Sequence, residues 1–185
     1  MELLEGILTR TSNSKLVNPA PQSAELARVI RCALRAPDHG RMRPWRFVVV
    51  EGEGLYKLGT AFEEATKIDS PNAEASSLER ARGLPLRAPM IIMVAATPTE
   101  NPKVPRIEQV IAAGIAAQNI QLALHGLGYG CMWRTGAMAA HPHVKSLFHL
   151  KESDEIVAFL YVGTIDGEAR PAIEPDVEKY LEYLR

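Results

Sequence analysis

Apolar and polar positions along the chain switch between a helical period and a strand period. Leu3, Leu4, Ile7 and Leu8 form a short helical stripe that stops at the polar residues 10–15. Leu26, Val29, Ile30, Ala33 and Leu34 recur at threes and fours. They predict a second helix, N-capped by Ser23, with Glu25 in its first turn and Pro37 ending it. Residues 45–52 (WRFVVVEG) read as a strand, because β-branched residues run unbroken between Pro44 and Gly52. Leu55, Leu58 and Phe62 mark the next helix, and residues 88–96 (APMIIMVAA) a second buried strand. Residues 69–85 mix turn formers with charge over a weak stripe, so a mobile excursion that could cover a site is expected there.

Residues 107–127 form the most informative helix. Ala112, Ala113, Gly114, Ala116 and Ala117 follow in close succession between Val110, Ile111, Ile115 and Ile120. Small residues allow close approach of backbones, so this helix is expected to be buried on several sides, centrally or against a second subunit. A short strand (YGCMWR, 129–134), a minor helix over 143–150 and a last strand (EIVAFLYVGT, 155–164) follow. The tail, 165–185, ends in a helix-like stripe of Val177, Tyr180, Leu181 and Leu184. Three or four strands separated by helices give an α/β or α+β pattern in one domain, 1–185, with 166–185 as a C-terminal extension. The glycines of GLGYG (126–130) follow a helix and precede a strand. That is the reverse of the strand–glycine loop–helix order of a dinucleotide fold, and no P-loop is present.

Composition narrows the function classes. The chain has 185 residues, 46% hydrophobic and 23% charged, with a formal net charge of −1. It is long enough for a self-sufficient core and too neutral for a protein devoted to a polyanion. Cys32 and Cys131 are its only cysteines and lie far apart, which indicates neither a disulfide framework nor a zinc site. No signal peptide or membrane-spanning run is seen, so a cytoplasmic protein with no nucleic-acid or membrane partner is expected.

Against that neutral background, the segment from Arg28 to Arg46 carries six arginines and one acid, Asp38. A guanidinium holds phosphate bidentately and does not titrate away. Arg10, close to Ser12 in sequence, has that chemistry, although on sequence alone a cation closing the first helix is the favoured reading. Arg35 is open to the same two readings, and Arg41, Arg43 and Arg46 could all be solvated. His141 and His143, with Pro142 between them and no third ligand, read as a helix-entry turn rather than a metal site. Cys131 reads as buried filler, and Trp45 as core.

Taken together, Arg10-Thr11-Ser12, the loop RAPDHGRMRPWRFVVV (35–50), the small-residue helix from Glu108 and GLGYGCMWRTG (126–136) occur in an order and spacing that resembles the nitroreductase family of flavoproteins. The short bacterial subgroup, with Pro-Asp-His and then Pro-Trp as at Pro37, Asp38, His39, Pro44 and Trp45, is the most similar. The resemblance runs from Leu3 to Thr164. It implies an α+β fold, a three-layer α/β/α sandwich with a mixed, mainly antiparallel central sheet, in an obligate homodimer. It also implies FMN at the subunit interface, NADH or NADPH as electron donor, and a nitroaromatic, quinone or similar small-molecule acceptor. Carried over by position, Arg10, Thr11 and Ser12 would contact FMN in one subunit, and Arg35 and His39 would reach it from the other. Trp133, Arg134 and Thr135 would form a third contact strip. Ala123, Leu124, His125, Gly126, Leu127 and Gly128 would lie beside NAD(P)H, and Arg170 in the tail is a further phosphate candidate. No side chain need act as nucleophile, since the flavin performs the chemistry.

The chain departs from the wider family at two places. Arg-Thr-Ser replaces the frequent Arg-Arg-Ser, and Arg41 and Arg43 replace amides in the loop before Pro-Trp. Arginine only donates hydrogen bonds, whereas amides also accept them. Two rival classes are a flavin-binding module without turnover and a nucleic-acid-binding domain using residues 41–46 (RMRPWR), the latter opposed by the neutral net charge. Within enzymes the runner-up is a specialised flavin-dependent dehydrogenase or oxidase on the same scaffold.

Overall fold

In the computed structural model, which describes all 185 residues, every strand pairs antiparallel. The strands are β1 (Leu16–Val17), β2 (Trp45–Glu51), β3 (Met90–Ala96), β4 (Gly130–Arg134) and β5 (Glu155–Ile165). The 11-residue β5 organises the sheet. One edge pairs with β3, which in turn pairs with β2. The other edge is shared end to end, by β4 against Phe159–Gly163 and by β1 against Thr164 and Ile165.

Burial on both faces explains the unbroken apolar runs of β3 and β5. In β3, Ile91, Met93 and Ala95 face one layer, and Met90, Ile92 and Val94 the other. The first layer is α3 (Glu53–Asp69), α6 (Gly136–Ala140) and α7 (Pro142–Leu147), with Phe62 set edge-on to Phe159 at 5.6 Å. The second is α2 (Ser23–Ala33) and α5 (Arg106–Gly126), through Val29, Ala33, Ala116, Ala117, Ile120 and Leu124. Two helical layers around one sheet make the α+β sandwich expected from the sequence.

Several local expectations change. Helix α2 is capped by Gln22 rather than Ser23. The Gln22 backbone N–H donates to Glu25 Oε2 (3.0 Å), and Glu25 also accepts from the Tyr129 hydroxyl (2.8 Å). These bonds, the backbone one first, lower the Glu25 pKa, and the same contact raises that of Tyr129. Residues 69–85 are helical over much of their length rather than an irregular excursion. They contain α4 (Ala75–Gly83), packed on α3 by the buried Ala81 and leading into a 3-10 turn at Leu84–Arg87. Close approach at Gly59, which the weak stripe could not reveal, docks the two helices. The tail forms only a 3-10 turn, Val177–Lys179, and its stripe stays exposed because it meets no surface of its own chain. Helix α5 buries the face toward the sheet, while Ile107 and Ile111 on the opposite side are 62% and 53% exposed.

No helix is long and apolar enough to cross a membrane. A methyl added at Gly59 would overlap the Arg82 carbonyl oxygen. Gly59→Ala is therefore expected to lower the unfolding free energy by ~1–3 kcal/mol in urea titration. Gly83→Ala, where a methyl meets nothing within 4 Å, is expected to change it little.

Candidate functional site

The predicted site residues gather into two groups, one at the C-terminal end of α5 and one beyond the end of α2, where His39 meets the first turn of α5. The first begins where α1 (Leu3–Thr9) stops at Arg10, whose backbone turns extended (φ −62°, ψ 124°). The chain then runs beside β4, where Asn13 N–H donates to the Cys131 carbonyl at 3.1 Å. This bond brings Arg10, Thr11 and Ser12 to the same sheet edge as Trp133, Arg134 and Thr135. The tail crosses them: Thr11 Oγ1 donates to the Arg170 carbonyl (2.9 Å), and Arg170 N–H donates to Asn13 Oδ1 (3.3 Å). Arg170 is thus fixed here through its backbone.

His125 joins this group from the last turn of α5. The Thr9 hydroxyl gives its proton to the Glu5 carbonyl (2.7 Å) and so must accept from His125 Nε2–H, at 3.0 Å. Partial burial, and secondarily the Arg10 charge, lower the His125 pKa and favour the neutral ring. Burial pushes the Cys131 thiol up to about 12, which bears out its reading as buried filler rather than a nucleophile.

Along β4 the side chains alternate. The Trp133 indole packs toward the α2 and α5 layer and donates to the Val157 carbonyl (3.1 Å). Arg134 faces the other layer, with its guanidinium 5.5 Å from the Tyr161 ring centroid and its Nε buried without a hydrogen-bond partner. Such a donor is costly to leave unmade. It lies in a cleft of about 480 Å³ that Thr135, Gly136, Met138 and Tyr161 also line. Within 123–128 the Leu124 side chain is fully buried in the core, so only its backbone could meet a ligand. Gly128 reverses the chain at φ +87°, and its N–H donates to the His125 carbonyl (3.0 Å).

The second group lies beyond the end of α2. Arg35 and His39 are both exposed, and His39 Nδ1 is 2.6 Å from Glu108 Oε2 in the first turn of α5. Glu108 has no signal in sequence, since 69 residues separate it from His39. Asp38 was legible only as the lone acid of the loop. Its carboxylate in fact accepts backbone N–H bonds from Met42 (3.1 Å) and Arg43 (2.7 Å). His141 and His143 pair with Asp69 and Glu64, and no cluster of metal-ligating side chains exists in the chain.

Between Glu108 and His125 lies most of the 21-residue α5. At 1.5 Å per residue Glu108, and with it His39, stands roughly 25 Å along the helix from His125. His39 and His125 therefore cannot touch one small ligand within one chain.

The nitroreductase family model matches residues 7–164. The chain belongs to the nitroreductase family. It is 40% identical, over the full length of both chains, to the Escherichia coli protein named "Putative NAD(P)H nitroreductase YdjA". Among solved structures, the nitroreductase-like family protein of Bacillus cereus matches with a TM-score of 0.84 at 24% identity, covering 100% of this chain and 96% of that one. A nitroreductase with bound FMN from Desulfitobacterium hafniense matches with a TM-score of 0.71 at 22% identity over 100% of both chains. At these identities the likeness establishes the fold.

His125 gives the site a pH signature. Its folded pKa is below the ordinary value of 6.5. As pH falls beneath that value the unfolded chain takes up a proton that the folded chain still resists, so stability falls. His125→Gln keeps a donor for Thr9 but cannot titrate. The variant is expected to lose less stability than the parent between pH 7.5 and 5 in urea titration.

Proposed function

We propose that this protein is an FMN-dependent NAD(P)H oxidoreductase of homodimeric build, each site assembled from the Arg10 group of one subunit and the Arg35 group of the other. The observation that carries the reading is the separation along α5 of His39, at its first turn, from His125 and Arg10 at its end. Relatedness to a protein named as an NAD(P)H nitroreductase, and bound FMN in the Desulfitobacterium hafniense protein of the same fold, support it.

The residues present suit a flavin phosphate and ring. Arg134 Nε is a buried donor without a partner, and Arg10, two residues before Ser12, has no ion-pair partner. Arg10, Ser12 and the partner subunit's Arg35 would hold the phosphate, with charge-assisted bonds roughly twice as strong as neutral ones. Trp133, pinned by its bond to Val157, gives a rigid wall, and Thr135 and Gly136 contribute backbone beside it. The partner subunit's His39 would be held in orientation by Glu108 of its own chain. The backbone of 123–128 borders the nicotinamide nucleotide's place. When bound, FMN would supply the redox chemistry, hydride uptake from NAD(P)H and electron delivery to a small acceptor such as a nitroaromatic or quinone.

Exposed apolar surface supports the dimer. Ile107 and Ile111 on α5, Leu3, Leu4, Ile7 and Leu8 on α1, and Ile173, Tyr180 and Leu184 on the tail all lie open in the single chain. α1 and α5 pack together, and contiguous exposed apolar side chains mark protein–protein contact sites. A methyl at Gly114, on the open side of α5, meets nothing within 4 Å. A second copy against this face would use that space.

Purified protein is expected to be yellow, to carry FMN and to oxidise NADH or NADPH when a nitroaromatic or quinone is added. A colourless preparation that takes up no FMN would refute the assignment. FMN bound without turnover would make it a binding module. Arg10→Ala and Arg35→Ala should each weaken FMN binding by about 10- to 100-fold, the loss expected for one charged hydrogen-bonding partner, as read by flavin fluorescence titration. Gly114→Leu should shift the protein from dimer to monomer in sedimentation and release FMN with it.

A further inference from the structure

The surplus arginines of the loop sit in a built cleft. Asp38, the only acid between Arg28 and Arg46, spends both carboxylate oxygens on the backbone N–H groups of Met42 and Arg43. Around that clamp the chain passes through left-handed conformations at Gly40 (φ 68°), Arg41 (φ 54°) and Arg43 (φ 50°). Glycine takes these angles freely, but arginine does not, and non-glycine residues held there cluster at ligand sites. The result is a cleft of about 400 Å³ lined by Arg35, Asp38, Arg41, Arg43 and Trp45, with residues 34–37 as one wall. Its volume falls within the range of small-ligand sites.

None of the Arg35, Arg41 and Arg43 guanidinium groups has an ion pair or a side-chain hydrogen bond. Arg46, by contrast, donates to the Phe148 carbonyl at 2.7 Å. Three unpaired cations around one concavity repel one another, and a shared anion converts that repulsion into charge-assisted hydrogen bonds. The half-buried Trp45, which also packs against the α2 and α5 layer, brings an aromatic side chain to the lining of the cleft.

We propose that this cleft selects the electron acceptor: a small aromatic acid, its carboxylate or sulfonate held by Arg41 and Arg43 and its ring against Trp45. The inference rests on the flavin reading above, because Arg35, there given to FMN, lines the same cleft. Arginine at 41 and 43 then sets substrate charge where an amide would not, and Asp38 acts as a positioning residue through the loop backbone.

The test compares two acceptors of nearly equal shape, 4-nitrobenzoate and 4-nitrobenzamide, with NADH and with NADPH, on the FMN-loaded protein. The parent, Arg41→Ser/Arg43→Gln and Arg31→Ala are measured side by side, the last removing an exposed arginine of α2 outside the cleft. The expected result is a fall of about tenfold or more in the benzoate-to-benzamide ratio of kcat/KM for the double variant, the loss expected for charge-assisted bonds. Arg31→Ala should leave that ratio unchanged, and the NADPH-to-NADH ratio should not move in either variant. A ratio untouched by the double variant, or a change confined to the NADPH-to-NADH ratio, would overturn the proposal. Calorimetric titration with 4-nitrobenzoate separates the two readings. Binding lost in the double variant, in a chain that takes up no FMN, would leave the anion site standing and sink the flavin function. Equal binding in both chains would sink the anion site alone.

Discussion

The rigidity of α5 governs the arrangement of the whole molecule. Twenty-one residues of continuous helix, anchored to the sheet by Ala116, Ala117, Ile120 and Leu124, hold its two ends at a fixed separation. Glu108 and His39 stand at the first end, and His125, Arg10 and the start of β4 at the second. No side chain spans that distance. Under the proposed function, a ligand that needs both groups would be met by two copies of the chain, with the exposed apolar face of α5 as the surface on which they would meet.

The sheet makes this spacing possible. β5 is long enough to serve β4 and β1 on one edge while β3 covers the other, so the segment after α1 is laid against β4 at the Asn13–Cys131 bond. Short, specific contacts then do the positioning. Thr9 orients His125, Val157 holds Trp133, and Asp38 folds the arginine loop. Each ties a polar group to backbone or to one side chain, leaving Arg10, Arg35, Arg41 and Arg43 unpaired.

Much of the fold was legible in sequence because burial on both faces writes itself as apolar runs. Residues 90–96 and 155–165 could hardly be anything but strands, the β-branched run of 45–51 marked a third although only Val50 in it is buried, and the succession of small residues in α5 marked it as closely packed. What escaped depended on contacts far apart in the chain. α4 is polar over most of its surface and is helical because Ala81 and Gly59 bring it against α3, so its stripe was weak. The cap of α2 is set by Gln22 and Glu25 in reciprocal position rather than by the nearest hydroxyl. The tail carried a stripe at helical spacing, yet a stripe makes a helix only where a surface receives it. In the site, family resemblance supplied the residue positions. The structure added Glu108, Asn13 and the backbone role of Asp38, none of which has a local signature.

The central claim is that each site draws on two subunits, and mixed dimers test it most directly. Arg10→Ala and Arg35→Ala chains carrying different affinity tags are co-expressed and the doubly tagged dimer isolated. A shared site puts both lesions in one of the two sites and leaves the other with native Arg10 and Arg35. The account therefore predicts one FMN per mixed dimer bound with the parent's affinity, although neither homodimer binds it so. Uniformly weakened binding at both sites would place Arg10 and Arg35 in the same subunit's site and contradict the account.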